Sequence, residues 1–162
     1  SLVDHLGYFY ERPHFLEWCF GNTMLTESMA FDMDGVICED VTAPDGTEEY
    51  EYFIDYARPL YPPRVPVVII TAREERYRDR TLAWLKRYGV TARELIMWPT
   101  GGEWSRGRIA EWKSAVLKDI KSRYGLHYYV ESSPEDALVI ANGCGLPTIC
   151  PTSGLVYQSQ QS

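Results

Sequence analysis

The eight residues Ala30-Phe31-Asp32-Met33-Asp34-Gly35-Val36-Ile37 decide how the rest of the chain is read, because two carboxylates stand two residues apart where a short apolar run meets a glycine. At a strand's carboxyl end, before a turn that glycine permits, two such acids converge. That edge is where open α/β sheets bind ligands. The plainer alternative is a strand followed by a solvated acidic turn, and the downstream sequence argues against it.

Outward from this stretch, apolar runs alternate with helical patterns. Strand one spans Ser28 to Asp32. Residues 38–64 carry turn formers, then an acidic aromatic piece from Glu48 to Ala57 and three prolines, which reads as a flap or short helix. Val65 to Thr71 is a continuous, largely β-branched run, expected of a strand buried on both faces of a parallel sheet. A helix from Glu74 to Tyr88 turns Leu82, Trp84 and Leu85 inward and ends at Gly89. Leu95 to Trp98 is a third strand, and Arg108 to Tyr124 a long helix whose Ile109, Trp112, Val116, Leu117 and Ile120 share one face. Tyr128 to Glu131 is a fourth strand, a helix starts at the cap Ser133 with Pro134 in its first turn, and Thr148 to Cys150 is a last strand. The alternation predicts an α/β fold, with a central five-stranded parallel sheet, helices on both faces and right-handed crossovers. Residues 28–157 then form one domain. Residues 1–27 are an aromatic extension in which a helix from Pro13 to Phe20 packs Phe15, Trp18 and Cys19 onto the core, and 158–162 a disordered tail.

A chain of 162 residues, 45% hydrophobic and 14% aromatic, buries a real core. Its longest apolar run is too short to span a bilayer, and Asp4, Glu11 and Pro13 do not fit a signal peptide, so the expected compartment is the cytosol. Cys19, Cys38, Cys144 and Cys150 form no CxxC pair and His5, His14 and His127 are scattered, which argues against zinc. Cys144 and Cys150 read as core residues, while Cys38 lies close to the acidic pair. Between Glu39 and Ala57 there are seven acids and no base, equal to the whole net charge of −7. From Arg73 to Arg123 thirteen bases face seven acids, locally +6. So acidic a chain is a poor non-specific duplex binder, yet a local basic face can hold an anionic substrate.

Four elements end on residues that carry chemistry: Asp32 and Asp34 after strand one, Thr71 after strand two, Lys113 early in the long helix and Glu131 after strand four. In a parallel sheet these strand ends share one edge. Each residue type has a task in phosphoryl transfer. A carboxylate nucleophile takes the phosphoryl group as an aspartyl phosphate, and a second carboxylate protonates the leaving oxygen and then activates water. Magnesium on hard oxygens offsets the repulsion between carboxylate and phosphate, and a hydroxyl and an ammonium hold the transferring oxygens. Alternatives stand beside these readings: Thr71 as a cap of the next helix, Lys113 as a solvated helix charge, Glu135 and Asp136 as acids placed by a helix dipole.

Asp32-Met33-Asp34-Gly35, Val67-Val68-Ile69-Ile70-Thr71, Lys113 and Glu131, in this order, resemble the four motifs of the haloacid dehalogenase (HAD) superfamily of phosphohydrolases, over about Phe31 to Cys150. The resemblance implies a three-layer Rossmann-like HAD fold of the capless type. It implies Asp32 as nucleophile, Asp34 as acid/base and Thr71 and Lys113 as phosphate holders, with Gly35, Ala72 and Arg73 of the first two motifs next to substrate. Magnesium would be held by Asp32, the backbone carbonyl of Asp34, and Glu131. The fourth motif departs from the commoner pattern: Glu131-Ser132-Ser133 has one acid where many members carry two adjacent ones, which leaves less charge to hold the metal.

Two subgroups are similar in further residues. Glu131-Ser132-Ser133, Ala57-Arg58-Pro59-Leu60-Tyr61 and Phe15-Leu16-Glu17-Trp18 look like HAD domains that follow phosphoribosyltransferase domains, which makes such a transferase a candidate partner. Thr71-Ala72-Arg73-Glu74 is similar to the phosphatase half of phage polynucleotide kinase-phosphatases, in which the arginine contacts phosphate. Both imply a nucleotide or a nucleic-acid end as substrate. The intervals of 39 residues from Asp32 to Thr71 and 42 from Thr71 to Lys113 leave no room for a lid domain. Arg73, Arg76 and Arg80 fall on one helical stripe, where guanidinium forks suit phosphate. Tyr50, Tyr52, Phe53 and Tyr56 are aromatics for a partner to dock on, or for the core. A binding module with little catalysis is the alternative to an enzyme.

Overall fold

The computed structural model describes residues 24–102 and 105–159. The expected helix at Pro13 to Phe20 lies outside them, as do the last three residues of the tail. The described chain opens with a 3-10 turn, Met24–Ser28. It continues through β1 (Met29–Phe31), α1 (Glu48–Tyr56), β2 (Val67–Glu74), α2 (Arg78–Arg87) and β3 (Ala92–Trp98). It closes with α3 (Arg106–Tyr124), β4 (Tyr128–Val130), α4 (Pro134–Cys144), β5 (Thr148–Cys150) and β6 (Leu155–Tyr157).

The strands form one sheet in the order β3-β2-β1-β4-β5-β6, parallel except for β6, which runs antiparallel to β5. Six strands replace the five expected. Leu155–Tyr157 is apolar but only three residues long and largely exposed, too short to stand out as a strand; the turn through Gly154 folds it back so that Leu155 pairs with Cys150.

Alternation along the strands builds two cores. Met29, Phe31, Val67, Ile69 and Val130 face α1 and α2, packing on Ile54, Trp84 and Leu85. Ala30, Val68, Ile70 and Tyr129 face α3 and α4, packing on Ala110, Leu117, Ile120 and Ile140. The result is a three-layer α/β arrangement, and β2 reads as an unbroken apolar run because both its faces are covered. Among the described residues no lid domain is inserted. α1 fills the β1–β2 connection and α2 the β2–β3 connection. No described helix is long and apolar enough to cross a membrane.

The segment after Thr71 differs from its sequence reading. β2 runs on to Glu74 with a register shift against β3, a 3-10 turn follows, and α2 begins at Arg78 rather than Glu74. Its buried stripe is Thr81, Trp84 and Leu85, with the Trp84 Nε1–H donating to the Ala57 carbonyl at 2.8 Å. Leu82, expected inward, is 42% exposed, because it falls between the i, i+3 and i+4 positions of that stripe. Arg73 therefore lies on β2 and shares no helical stripe with Arg76 and Arg80.

Candidate active site

β1 and β4 are neighbours in the sheet, but their crossovers leave to opposite sides, so a crevice opens beyond their carboxyl ends. The residues after those two strands line it. The Asp32 N–H extends the ladder to the Val130 carbonyl at 2.9 Å, and the Glu131 N–H bonds the Ile149 carbonyl at 3.0 Å. Past Asp32 the chain turns sharply, with the N–H groups of Ile37 and Cys38 both donating to the Met33 carbonyl. Gly35 sits in this turn at φ +76°, and a Cβ there would lie 2.6 Å from the Cβ of Ser132. The glycine lets the β1 and β4 loops touch: Ser132 Oγ donates to the Asp34 carbonyl at 3.2 Å.

Lys113, on the inward face of α3, joins the two strand ends. Its Nζ lies 2.8 Å from Asp32 Oδ2 and 2.8 Å from Glu131 Oε2, and all three side chains are almost wholly buried. Two carboxylates around one ammonium leave the cluster one negative charge in excess. Burial, and then the charge of Glu131, pushes the Asp32 carboxyl well above its ordinary value. Burial acts on Glu131 in the same sense, but the charge and hydrogen bond of Lys113 outweigh it and hold Glu131 low. Burial would strip the proton from Lys113; Asp32 and Glu131 hold it there and raise its pKa. Glu131 Oε1 also accepts from the Ser133 N–H at 3.2 Å.

The crevice is a cavity of about 570 Å³. Asp32, Asp34, Ala72, Arg73, Lys113 and Glu131 line it, together with the 40–45 loop, Tyr50 and Glu74. No protein-family model matches the chain, and a search of curated proteins finds no match.

Five sequence candidates, Asp32, Asp34, Arg73, Lys113 and Glu131, meet at this cavity, with Ala72 on its wall and Gly35 in the turn behind. Thr71 is fully buried beneath them and is not among the lining residues; its Oγ1 accepts from the Arg73 N–H at 3.2 Å. It caps no helix, since α2 starts seven residues later. Lys113 is no solvated charge. Glu135 and Asp136 occupy the first turn of α4, where Ser133 accepts from the Asp136 N–H, as a helix N-terminus favours. Arg76 pairs with Asp45 and Glu74, and Arg80 with Glu51 and Asp55, so much of the acidic flap's charge is answered by α2 and its leading turn.

The 40–45 loop was not singled out from sequence, whereas Cys38, read there as close to the acidic pair, is fully buried and is not among the lining residues. Cys38 reaches the acids because the tight turn brings its Sγ to 3.3 Å from Asp34 Oδ1. Only its four-residue spacing from Asp34 hinted at this. For magnesium the available donors are the carboxylates of Asp32 and Glu131 and the Asp34 carbonyl, all hard oxygens. No cluster of three ligating side chains occurs among the described residues, and one or two carboxylates completed by water is the set magnesium ordinarily takes. The donor chemistry and the excess negative charge both suit that ion.

Proposed function

We propose that the chain is a magnesium-dependent phosphohydrolase of the HAD type, acting through an aspartyl phosphate on Asp32. One observation carries the reading: a buried carboxylate and a second acid, two residues on, line a cavity at the sheet's topological switch point, with Lys113 linking the first to Glu131.

A carboxylate oxygen of Asp32 forms a bond to phosphorus as the ester P–O bond breaks, and Asp34 gives its proton to the departing oxygen. In the second half, Asp34 takes a proton from water while the water oxygen bonds to phosphorus, releasing phosphate and restoring Asp32. Lys113 keeps Asp32 oriented and steadies the charge on the transferring oxygens. The Tyr129 hydroxyl, which donates to the Ile70 carbonyl at 3.3 Å, backs the Lys113 and Glu131 side chains. Magnesium, held by Asp32, Glu131 and the Asp34 carbonyl, would supply charge neutralisation between nucleophile and phosphate.

The resemblance implies nucleotides or polynucleotide ends as substrates. The lining sharpens that choice. Its two bases, Arg73 and Lys113, are both already paired with acids, and of its other acids Asp45 and Glu74 are answered by Arg76. This favours a compact monophosphate over a polyanionic end. The test is phosphate release with magnesium from nucleotides, 3′- and 5′-phosphorylated oligonucleotides and a chromogenic ester. Turnover lost in Asp32→Asn supports the reading, and no turnover on any of them, or turnover unchanged in Asp32→Asn, removes it. One observation favours the binding-module alternative: Tyr52 and Tyr56 of α1 are exposed, their rings tilted against each other at 4.7 Å, a surface for a partner such as a phosphoribosyltransferase.

A further inference from the structure

Arg73 stands where the family resemblance implies a phosphate ligand, yet its guanidinium is already engaged. The residue is 1% exposed at the end of β2. Its Nε lies 3.1 Å from both Asp34 oxygens, and its Nη2 donates to Oδ1 at 2.6 Å. The Cys38 Sγ–H donates to the same Oδ1 at 3.3 Å and in turn accepts from Arg73 Nη2 at 3.5 Å. Beneath the guanidinium the Phe53 ring lies 5.5 Å away, close enough to fix its plane. Three donors therefore converge on Asp34 Oδ1, while Oδ2 keeps one contact. A carboxyl gripped this way cannot rotate freely, and Oδ2 is the oxygen left with fewer donors.

We propose that Arg73, assisted by Cys38, is the positioning residue of the acid/base, fixing the Asp34 carboxyl so that Oδ2 exchanges the proton, and that Arg73 does not hold the transferring phosphoryl group. This inference rests on the phosphohydrolase reading. In the first half-reaction the Oδ2 proton passes to the leaving oxygen as the P–O bond breaks. In the second, water delivers a proton back to Oδ2 as its oxygen bonds to phosphorus. Arg73 and Cys38 keep their hydrogen bonds to Oδ1 throughout. Arg73 Nη1, buried without a partner among the described residues, is the one guanidinium nitrogen through which the competing role, a grip on substrate phosphate, would act.

Leaving-group dependence separates the two roles. A p-nitrophenolate departs without a proton, whereas an alkoxide needs one, so a misplaced acid harms the alkyl ester selectively. The whole chain and its Arg73→Met, Arg73→Lys and Cys38→Ala variants are assayed with magnesium on p-nitrophenyl phosphate and on a simple alkyl phosphate. Arg73→Met is expected to lose on the order of 10²-fold in kcat on the alkyl ester, with a loss about tenfold smaller on the aryl ester. Arg73→Lys recovers part of the alkyl rate, and Cys38→Ala shows the same selectivity in milder form. Equal losses on both esters, carried in KM, would overturn the proposal and make Arg73 a phosphate ligand. Should Arg73→Met not fold, the ratio is read from the other two variants. Asp32→Asn is run in parallel: activity surviving there removes the phosphohydrolase reading itself, while an inactive Asp32→Asn beside unselective Arg73 variants removes only the positioning role.

Discussion

Asp32, Glu131 and Lys113 make an uneven buried cluster, and the excess charge has consequences for stability as well as chemistry. Because the folded state raises the Asp32 pKa above its ordinary value of 3.8, this group's contribution to stability is fully present below that value and is lost as pH rises through the folded value. The metal-free protein is therefore expected to lose melting temperature from about pH 4 toward neutrality more steeply than Asp32→Asn. Thermal melts of both across that range, without magnesium, check this; equal slopes would contradict it. Lys113→Met acts the other way. It leaves two buried carboxylates without their cation, at a cost of about 3–5 kcal/mol, read from denaturant unfolding. Gly35→Ala forces a side chain into the left-handed region and against Ser132, and is expected to cost at least about 1–2 kcal/mol as well as activity, measured the same way.

At the scale of elements, the parts legible in the sequence were those with strong local signals. β2 declared itself by an unbroken apolar run. α3 declared itself through its one apolar face and α4 its start through Ser133 as a cap. The segment after Thr71 was misread for a physical reason: its dense charges look helical, but pairing with β3 holds Arg73 and Glu74 extended and delays the helix to Arg78. That pairing is long-range and leaves no local mark. The same delay moved Arg73 from an expected surface stripe to a buried clamp on Asp34. β6 was hidden because three residues are too few to show a strand pattern and it is itself the edge strand, paired on one side alone. The acidic flap and α2 meet through exposed pairs such as Arg80 with Glu51, so reversing Glu51 to lysine is expected to lower the melting temperature at low salt and to matter less at high salt.

For the molecule as a whole, the sheet order explains why candidates scattered over a hundred residues share one cavity. β1 lies between β2 and β4, so Asp32, Arg73 and Glu131 emerge side by side, and α3 brings Lys113 over them. Order along the chain made Asp32, Lys113 and Glu131 readable as a set; the partner each side chain takes was not, because ion pairs form between segments the sequence does not juxtapose. The central claim is that Asp32 carries the phosphoryl group. It is tested most directly by acid-quenching the chain during turnover of a phosphomonoester with magnesium and locating the added phosphoryl mass by peptide sequencing in a mass spectrometer. The account predicts a labile phosphoryl group on Asp32, absent in Asp32→Asn; phosphate release at full rate with no label on Asp32, and undiminished in Asp32→Asn, would contradict it.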